Sequence, residues 1–269
     1  MKHLHTGQFH GQTNQTIHLE GITLTDTEYT HDKVDWHYHE NAYFTFILQG
    51  KVIEGNKKEV YNCDAGSLLF HNWQEPHYNI KPEGFTRGFH IELQQSWFDS
   101  LDFSLGKLVG SMNLSNPALK LVLYKIFRET KMEDMNTSLS VQTLLLQLLG
   151  QMLQDNIVAS NQKPLWVNQI KEMLHDRFWD KLTLTELSTD LGIHPVHLSR
   201  DFVKYFHCNM GEYIRKLKVE KSLSLLSQKS KSLSDITFDC GFSDQSHFSR
   251  CFRETNGINP LEYRRLILG

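Results

Sequence analysis

SLSDITFDCGFSDQSHFSRCFRETNGINPLEYRR, residues 232–265, decides how the C-terminal part of this 269-residue chain folds. Ser234 stands where an N-cap precedes a short helix, Asp235 to Cys240. Gly241 comes next, at a corner that needs left-handed backbone, which glycine adopts at least cost. Phe242 plugs the corner, and Ser243 can cap a second helix, roughly Asp244 to Thr255. Phe248 and Phe252 are four apart, so they share the face that packs on the first helix. The opposite face carries Gln245, Ser246, Ser249, Arg250 and Arg253, a polar and basic surface suited to a DNA major groove.

The same pattern occurs fifty residues earlier. Ser199, Arg200, Phe202, Asn209, Glu212, Tyr213 and Arg215 meet Ser249, Arg250, Phe252, Asn259, Glu262, Tyr263 and Arg265 as identities. Upstream the register slips by one residue, so that Leu184, Leu187, Gly192 and Ile193 meet Leu233, Ile236, Gly241 and Phe242. The slip falls between the glycine turn and the next helix, where an insertion costs least. In this first copy Leu184, Leu187 and Leu191 form a packing stripe, Leu198 and Phe202 pack the second helix, and Pro195, Val196, Ser199, Arg200 and Val203 look outward. Pro195 is tolerated in the first helical turn. The repeat predicts two helix-turn-helix units, with Met210 to about Leu226 as a longer helix between them.

Gly241-Phe242, five residues, Phe248-x-Arg250-x-Phe252-Arg253, three residues, then Gly257, Pro260, Tyr263 and Arg264 follow the signature of AraC/XylS-type bacterial transcription regulators. Residues 165 to 268 resemble that family's DNA-binding domain. The first copy departs from it at His207, where glycine is common, and at Met210, where proline is common. The resemblance implies double-stranded promoter DNA as partner, RNA polymerase as a second one, and activation as the default outcome. It implies base-reading roles for Pro195, Val196, Ser199 and Arg200 in the first unit, and for Gln245, Ser246, His247 and Arg250 in the second. Lys204, Lys216, Lys218, Lys221 and Arg253 suit phosphate contacts or a solvated face.

Bulk charge adds little. The chain carries 28 basic and 31 acidic residues, net −3, of which 15 basic and 13 acidic fall from residue 165 onward. Affinity for DNA must therefore come from local contacts and from pairing of two copies rather than from a broad basic field. Cys63, Cys208, Cys240 and Cys251 show no C-x-x-C spacing, and three of them sit in the helical units, which suits a reduced, cytoplasmic setting. No apolar run reaches the length of a membrane span, and no signal peptide opens the sequence.

Residues 15 to 95 alternate in the period-two manner of β-strands: Ala42 to Leu48 before Gly50, Lys51 to Ile53, Ser67 to Phe70 and Gly84 to Leu93. Trp36 to Glu40, Gly50, Asp64 to Phe70 and Pro76-His77 resemble the cupin-like barrel that many such regulators carry ahead of the DNA-binding half. The expected architecture is α+β with two domains. A cupin-like β-barrel followed by helices would occupy 1–160, and an all-α double helix-turn-helix domain 165–269, joined by Ala159 to Pro164.

Trp36, His37, His39, Tyr43, Phe46, Phe70 and His77 are the candidate lining of an effector pocket, since aromatics around a few polar groups suit a small organic ligand. His37 and His39 share one strand face, and with His77 they have the spacing of a cupin metal trio. The glutamate of that pattern is missing, because Tyr43 and Phe44 stand in its place. The expectation is no cofactor, with a divalent metal as the alternative. Pro117 opens a helix holding Leu121, Ile126 and Phe127, and Val141, Leu144, Leu145, Leu148, Leu149, Met152 and Leu153 stripe another. In the resembled family such helices pair two subunits, so a homodimer is expected. The reading is a non-enzymatic regulator controlled by a small-molecule effector. The alternatives are a metal-dependent cupin enzyme with a DNA-binding tail, and a ligand-independent regulator with a scaffold barrel.

Overall fold

The computed structural model describes residues 1–101, 110–132, 134–160 and 164–268. Asn161, Gln162 and Lys163 of the expected linker lie outside the described residues, while Ala159 and Ser160 end a helix. Contacts group the chain into two compact units, Met1–Asn116 with Glu129–Gln142, and Pro117–Arg128 with Thr143–Gly269.

The first unit is built on β-strands. Strands β1 (Lys2–Leu4), β4 (Lys33–His39), β9 (His77–Ile80), β6 (Lys51–Asn56) and β7 (Val60–Asp64) form one sheet in the order β1-β4-β9-β6-β7. The second sheet runs β11 (Met112–Asn113), β8 (Leu68–His71), β5 (Ala42–Gln49), β10 (Arg87–Leu93), β3 (Ile22–Glu28) and β2 (Gln12–Leu19). A short helix, α1 (Gln95–Ser100), follows β10. Strand alternation sorts the side chains. Phe44 and Phe46 of β5 share a face with their cross-strand partners Ile91 and Phe89 of β10, and Phe70 of β8 sits beside Phe44. All five are at most 1% exposed, so this face is apolar core. Tyr43 and Thr45 point the other way, with His71 and His90 as their partners.

The expected closed barrel is not formed. Closure needs the edge strands to bond each other. Strands β1 and β7 edge one sheet and β2 and β11 the other, and no ladder joins the two sheets among the described residues. The N-terminal part is therefore a mixed sheet structure of two facing layers. Alternation and turns announce strands because both are local signals, whereas edge pairing is not.

The second unit is helical. Helices α4 (Leu165–Arg177), α5 (Leu184–Leu191), α6 (Pro195–Phe206), α7 (Met210–Leu226), α8 (Leu233–Asp239), α9 (Gln245–Asn256) and α10 (Pro260–Leu268) succeed one another. Ile170 and Leu174 of α4, Leu187 of α5, Leu198 and Phe202 of α6, and Tyr213 and Leu217 of α7 make one continuous core. Helix α7 also packs on α8, α9 and α10, which is why it is apolar on more than one face. Residues 117–128 of α2 (Pro117–Met132) join this unit: Arg128 donates to the Asn256 carbonyl, and Lys120 lies 3.7 Å from Glu220. In α3 (Thr137–Ser160) the stripe of Val141, Leu145, Leu148, Leu149 and Met152 is at most 2% exposed. Those five residues are packed within their own chain, while Leu144 and Leu153 of the same stripe are half-buried. No described helix is long and apolar enough to cross a membrane.

Helices α5 to α9 each begin on a side chain that caps them. Ser232 and Asp235 form a reciprocal capping box on α8, two positions before the expected Ser234, and Asp244 accepts from the His247 amide to cap α9, one position past the expected Ser243. Gly192, Gly241 and Gly257 all carry positive φ, at +64°, +69° and +80°. His207 does the same at +56°, where the repeat has Gly257. A β-carbon in that conformation costs about 1–2 kcal/mol, partly offset by the entropy glycine loses on folding. His207→Gly is expected to stabilise the helical unit by about 0.5–1 kcal/mol, read as a higher midpoint in urea. A lower midpoint would mean that the exposed imidazole holds the turn.

Candidate functional site

Helices α6 and α9 carry the eight residues expected to face DNA. Val196, Ser199, Arg200, Gln245, Ser246 and Arg250 are exposed, and Pro195 and His247 are half-buried. Packing and capping account for most of the repeat. Phe202, Phe252, Tyr213 and Tyr263 are at most 4% exposed and fill the cores. Asn209 and Asn259 cap α7 and α10 by accepting from the amides of Glu212 and Glu262, both at 2.9 Å. Ser199 with Ser249 and Arg200 with Arg250 take no part in a core or a cap. Arg200 lies 2.9 Å from Asp201 on the open surface, a pair that solvent screens.

The second candidate lies between the two sheets. His37 and His39 of β4, His77 of β9 and Glu54 of β6 meet Tyr43 and Thr45 of β5 and His90 of β10 around a cavity of about 30 Å³. That is room for about two waters. Register explains the meeting, because His37 and His77 are direct partners across β4 and β9. His39 is two residues along on the same face. Phe9 closes one side and stacks on His90 at 3.8 Å.

Of the seven residues expected in a pocket, the structure gathers His37, His39, Tyr43 and His77. Trp36 points away, 41% exposed and 5.1 Å from the Tyr78 ring. Phe46 and Phe70 belong to the apolar layer on the other face of their sheet and are not among the cavity's lining residues. Phe9, His10, Tyr29 and Glu54 line the cavity without having been singled out from sequence. Glu54 carried a readable signal: it shares the inward face of β6 with Val52, and an acid there is out of pattern. Phe9 and His10 precede β2 outside any periodic segment and gave none.

Burial sets the charge of this cavity. It pushes His77 and His90 down to about 3 and His10 to about 4, helped by neighbouring imidazoles. Burial likewise lowers His37, and with four other imidazoles it holds His39 well below the ordinary histidine value. Glu54 is pushed up to about 8 by burial against a weaker opposing hydrogen bond from Asn79. Glu54 Oε1 lies 3.1 Å from His71 Nε2, and burial keeps both groups neutral near pH 7. Apart from Lys81, which lies 3.4 Å from Asp32, the polar groups that line the cavity are uncharged imidazoles, hydroxyls, an amide and a neutral Glu54.

Residues 187–266 match the family model described as a helix-turn-helix domain. The chain is 23% identical over 274 residues to the Msm operon regulatory protein of Streptococcus mutans, covering 93% of this chain and 95% of that protein. It is 32% identical over 110 residues to the HTH-type transcriptional regulator GbdR of Pseudomonas aeruginosa, covering 41% of this chain and 29% of GbdR. Among solved structures, ToxT from Vibrio cholerae O395 aligns over 93% of this chain and all of that chain, with 15% identity and a TM-score of 0.39. Both named relatives are described as regulators. The C-terminal helices are thus a helix-turn-helix domain, and the chain is similar to transcription regulators of the AraC/XylS type.

Proposed function

We propose that the chain is a sequence-specific, DNA-binding transcription regulator, an activator by the default of the type it resembles, whose β-sheet unit receives a small effector. One observation carries the reading: the arginine repeated at Arg200 and Arg250 is exposed, in a repeat whose other residues mostly fill cores or cap the following helices. Two copies of a major-groove helix on one polypeptide suit successive grooves about 34 Å apart. Arg200 and Arg250 would hold guanine through O6 and N7, Gln245 would hold adenine, and Val196 would meet a thymine methyl. Pro195, Ser199, Ser246 and His247 would complete the two surfaces. The effector works only by favouring one state of the protein over another. A homodimer and contact with RNA polymerase belong to the same reading, and pairing of copies would not use the buried positions of the α3 stripe.

Arg250→Ala tests the core of it. Duplexes are first selected from a random pool by the wild-type protein. The variant should bind them about 1–3 kcal/mol more weakly, while its affinity for unselected DNA changes far less. Equal loss on both kinds of DNA would remove the base-reading role and leave a phosphate contact.

A further inference from the structure

We propose that the β-sheet unit binds a divalent transition-metal ion on its outward face, between His3, His5 and Glu40. Register brings the three together. Strand β1 runs parallel to β4, with His3 opposite Tyr38 and Leu4 opposite His39. Partners across a ladder share a face, so buried Leu4 and His39 turn inward and His3 turns outward with Tyr38, on whose ring it stacks at 5.0 Å. His5 and Glu40 each lie two residues further along, just past the strand ends, and the Glu40 amide donates to the Leu4 carbonyl. One carboxylate oxygen, Glu40 Oε2, then lies 3.2 Å from His5 Nδ1 and 3.8 Å from His3 Nε2. One ligand atom from each of the three residues lies within 4.8 Å of the other two. Ligand atoms on one tetrahedral zinc ion stand roughly 3.4 Å apart, given bonds of about 2.0–2.2 Å. Small side-chain rotations therefore close the set on an ion.

The support behind Glu40 is an independent argument. Its other oxygen, Oε1, accepts from the Thr6 amide at 2.8 Å and from the Thr6 hydroxyl. The buried Asn41 side chain donates in turn to that hydroxyl at 2.8 Å. These bonds fix the carboxylate and leave Oε2 aimed at the two imidazoles. Outer-shell partners orient metal-binding carboxylates in this way. The Thr6 hydroxyl and amide, opposed by partial burial, also hold the Glu40 carboxyl below its ordinary value, so the group is charged near pH 7. Without an ion, His5 Nδ1 carries its proton toward Oε2. Coordination through Nδ1 moves that proton to Nε2, and the side chain is 65% exposed, so water can accept from it there.

The donor set names the class of ion. Two imidazoles and one carboxylate suit zinc, cobalt, nickel or ferrous iron, and not magnesium or calcium, which take oxygen ligands. Both imidazoles are open to solvent, so an ion can enter and water can fill its remaining positions. The consequence is a clip. Strand β1 has three residues and lies at the edge of its sheet with β4 as its one neighbour. An ion held by His3, His5 and Glu40 ties that short strand to the end of β4. The inner histidines His37, His39 and His77 are the competing explanation for any metal uptake.

The test uses the full chain, stripped with a chelator and titrated with zinc against a chromophoric competitor. At zinc levels that saturate wild type, Glu40→Gln and the His3→Ala/His5→Ala double variant are expected to hold one ion fewer per chain. Affinity at that site should fall about 100-fold or more, at least the size of an outer-shell loss, and Thr6→Val should lower it about 10-fold. Wild type supplies a reading that needs no variant. Zinc should protect His3 and His5, but not the exposed His31, from acylation by diethyl pyrocarbonate, mapped by peptide mass spectrometry. Amide hydrogen exchange over Lys2–Leu4 should slow with zinc in wild type and not in Glu40→Gln. Zinc uptake equal in wild type and the double variant, as the inner histidines alone would give, would overturn the site. So would no uptake by wild type, or acylation of His3 and His5 that zinc leaves unchanged. These measurements involve no DNA, so the clip and the regulator reading stand or fall separately.

Discussion

Gly241→Ala is expected to destabilise the helical unit by about 3 kcal/mol or more, while Gly192→Ala costs about 1–2 kcal/mol. The two glycines are equivalent in the repeat, and both have the same left-handed backbone, φ +69° and +64°. The conformational penalty for a β-carbon is therefore common to both. Their surroundings differ. A β-carbon at Gly192 meets nothing within 4 Å, whereas one at Gly241 falls 2.4 Å from the Trp179 carbonyl oxygen and 2.6 Å from its Cα. These are backbone atoms, which cannot turn aside as a side chain can. Trp179 follows α4, so the corner of the second helix-turn-helix is pressed against the chain that enters the first. Lys218 of α7 holds the same corner by donating to the Gly241 carbonyl at 2.5 Å. Urea unfolding followed by tryptophan fluorescence measures both variants. Equal losses would show that the segment after α4 yields, and that the two units are not locked together at this point.

The helical half was readable because its signals are local and occur twice. Glycine corners, the Phe248–Phe252 spacing and the Asn–Glu caps each act within a few residues, and the repeat tells constraint from chance. Cap positions were the weak part. The sequence offers Ser232, Ser234, Ser243 and Asp244 in quick succession, and only backbone geometry decides between neighbours. In the β-sheet half the strands were legible and their closure was not. Grouping aromatics by type placed Phe46 with Tyr43, although alternation along one strand already puts them on opposite faces. The pairing of His37 with His77 depends on register between strands that far apart in the chain, so sequence could suggest it but not fix it. The α3 stripe illustrates a different limit. Its periodicity announces a buried face, and nothing in periodicity says whose core buries it.

Removing the carboxylate of Asp26 is expected to destabilise the β-sheet unit by about 3–5 kcal/mol, as Asp26→Ala. Asp26 is 2% exposed on β3. Arg87 grips it through two bonds, Nε to Oδ1 at 2.7 Å and Nη2 to Oδ2 at 2.6 Å. Lys131 adds a third at 2.7 Å, and also donates to Gln15 at 2.6 Å. Alanine would leave two largely buried cations without the carboxylate they share. The pH dependence carries its own sign. Burial alone would raise the Asp26 pKa, but the hydrogen bonds and charges of Arg87 and Lys131 outweigh it and hold the group below its ordinary value. A carboxyl depressed in the folded state contributes stability that is fully present above its unfolded pKa, about 3.9, and is lost as pH falls through the folded value. The gap in urea stability between wild type and Asp26→Ala should thus be widest near neutrality and shrink below about pH 4. A gap that stays constant down to strong acid would mean the carboxylate is not what Arg87 and Lys131 stabilise, and that Asp26 matters through packing alone.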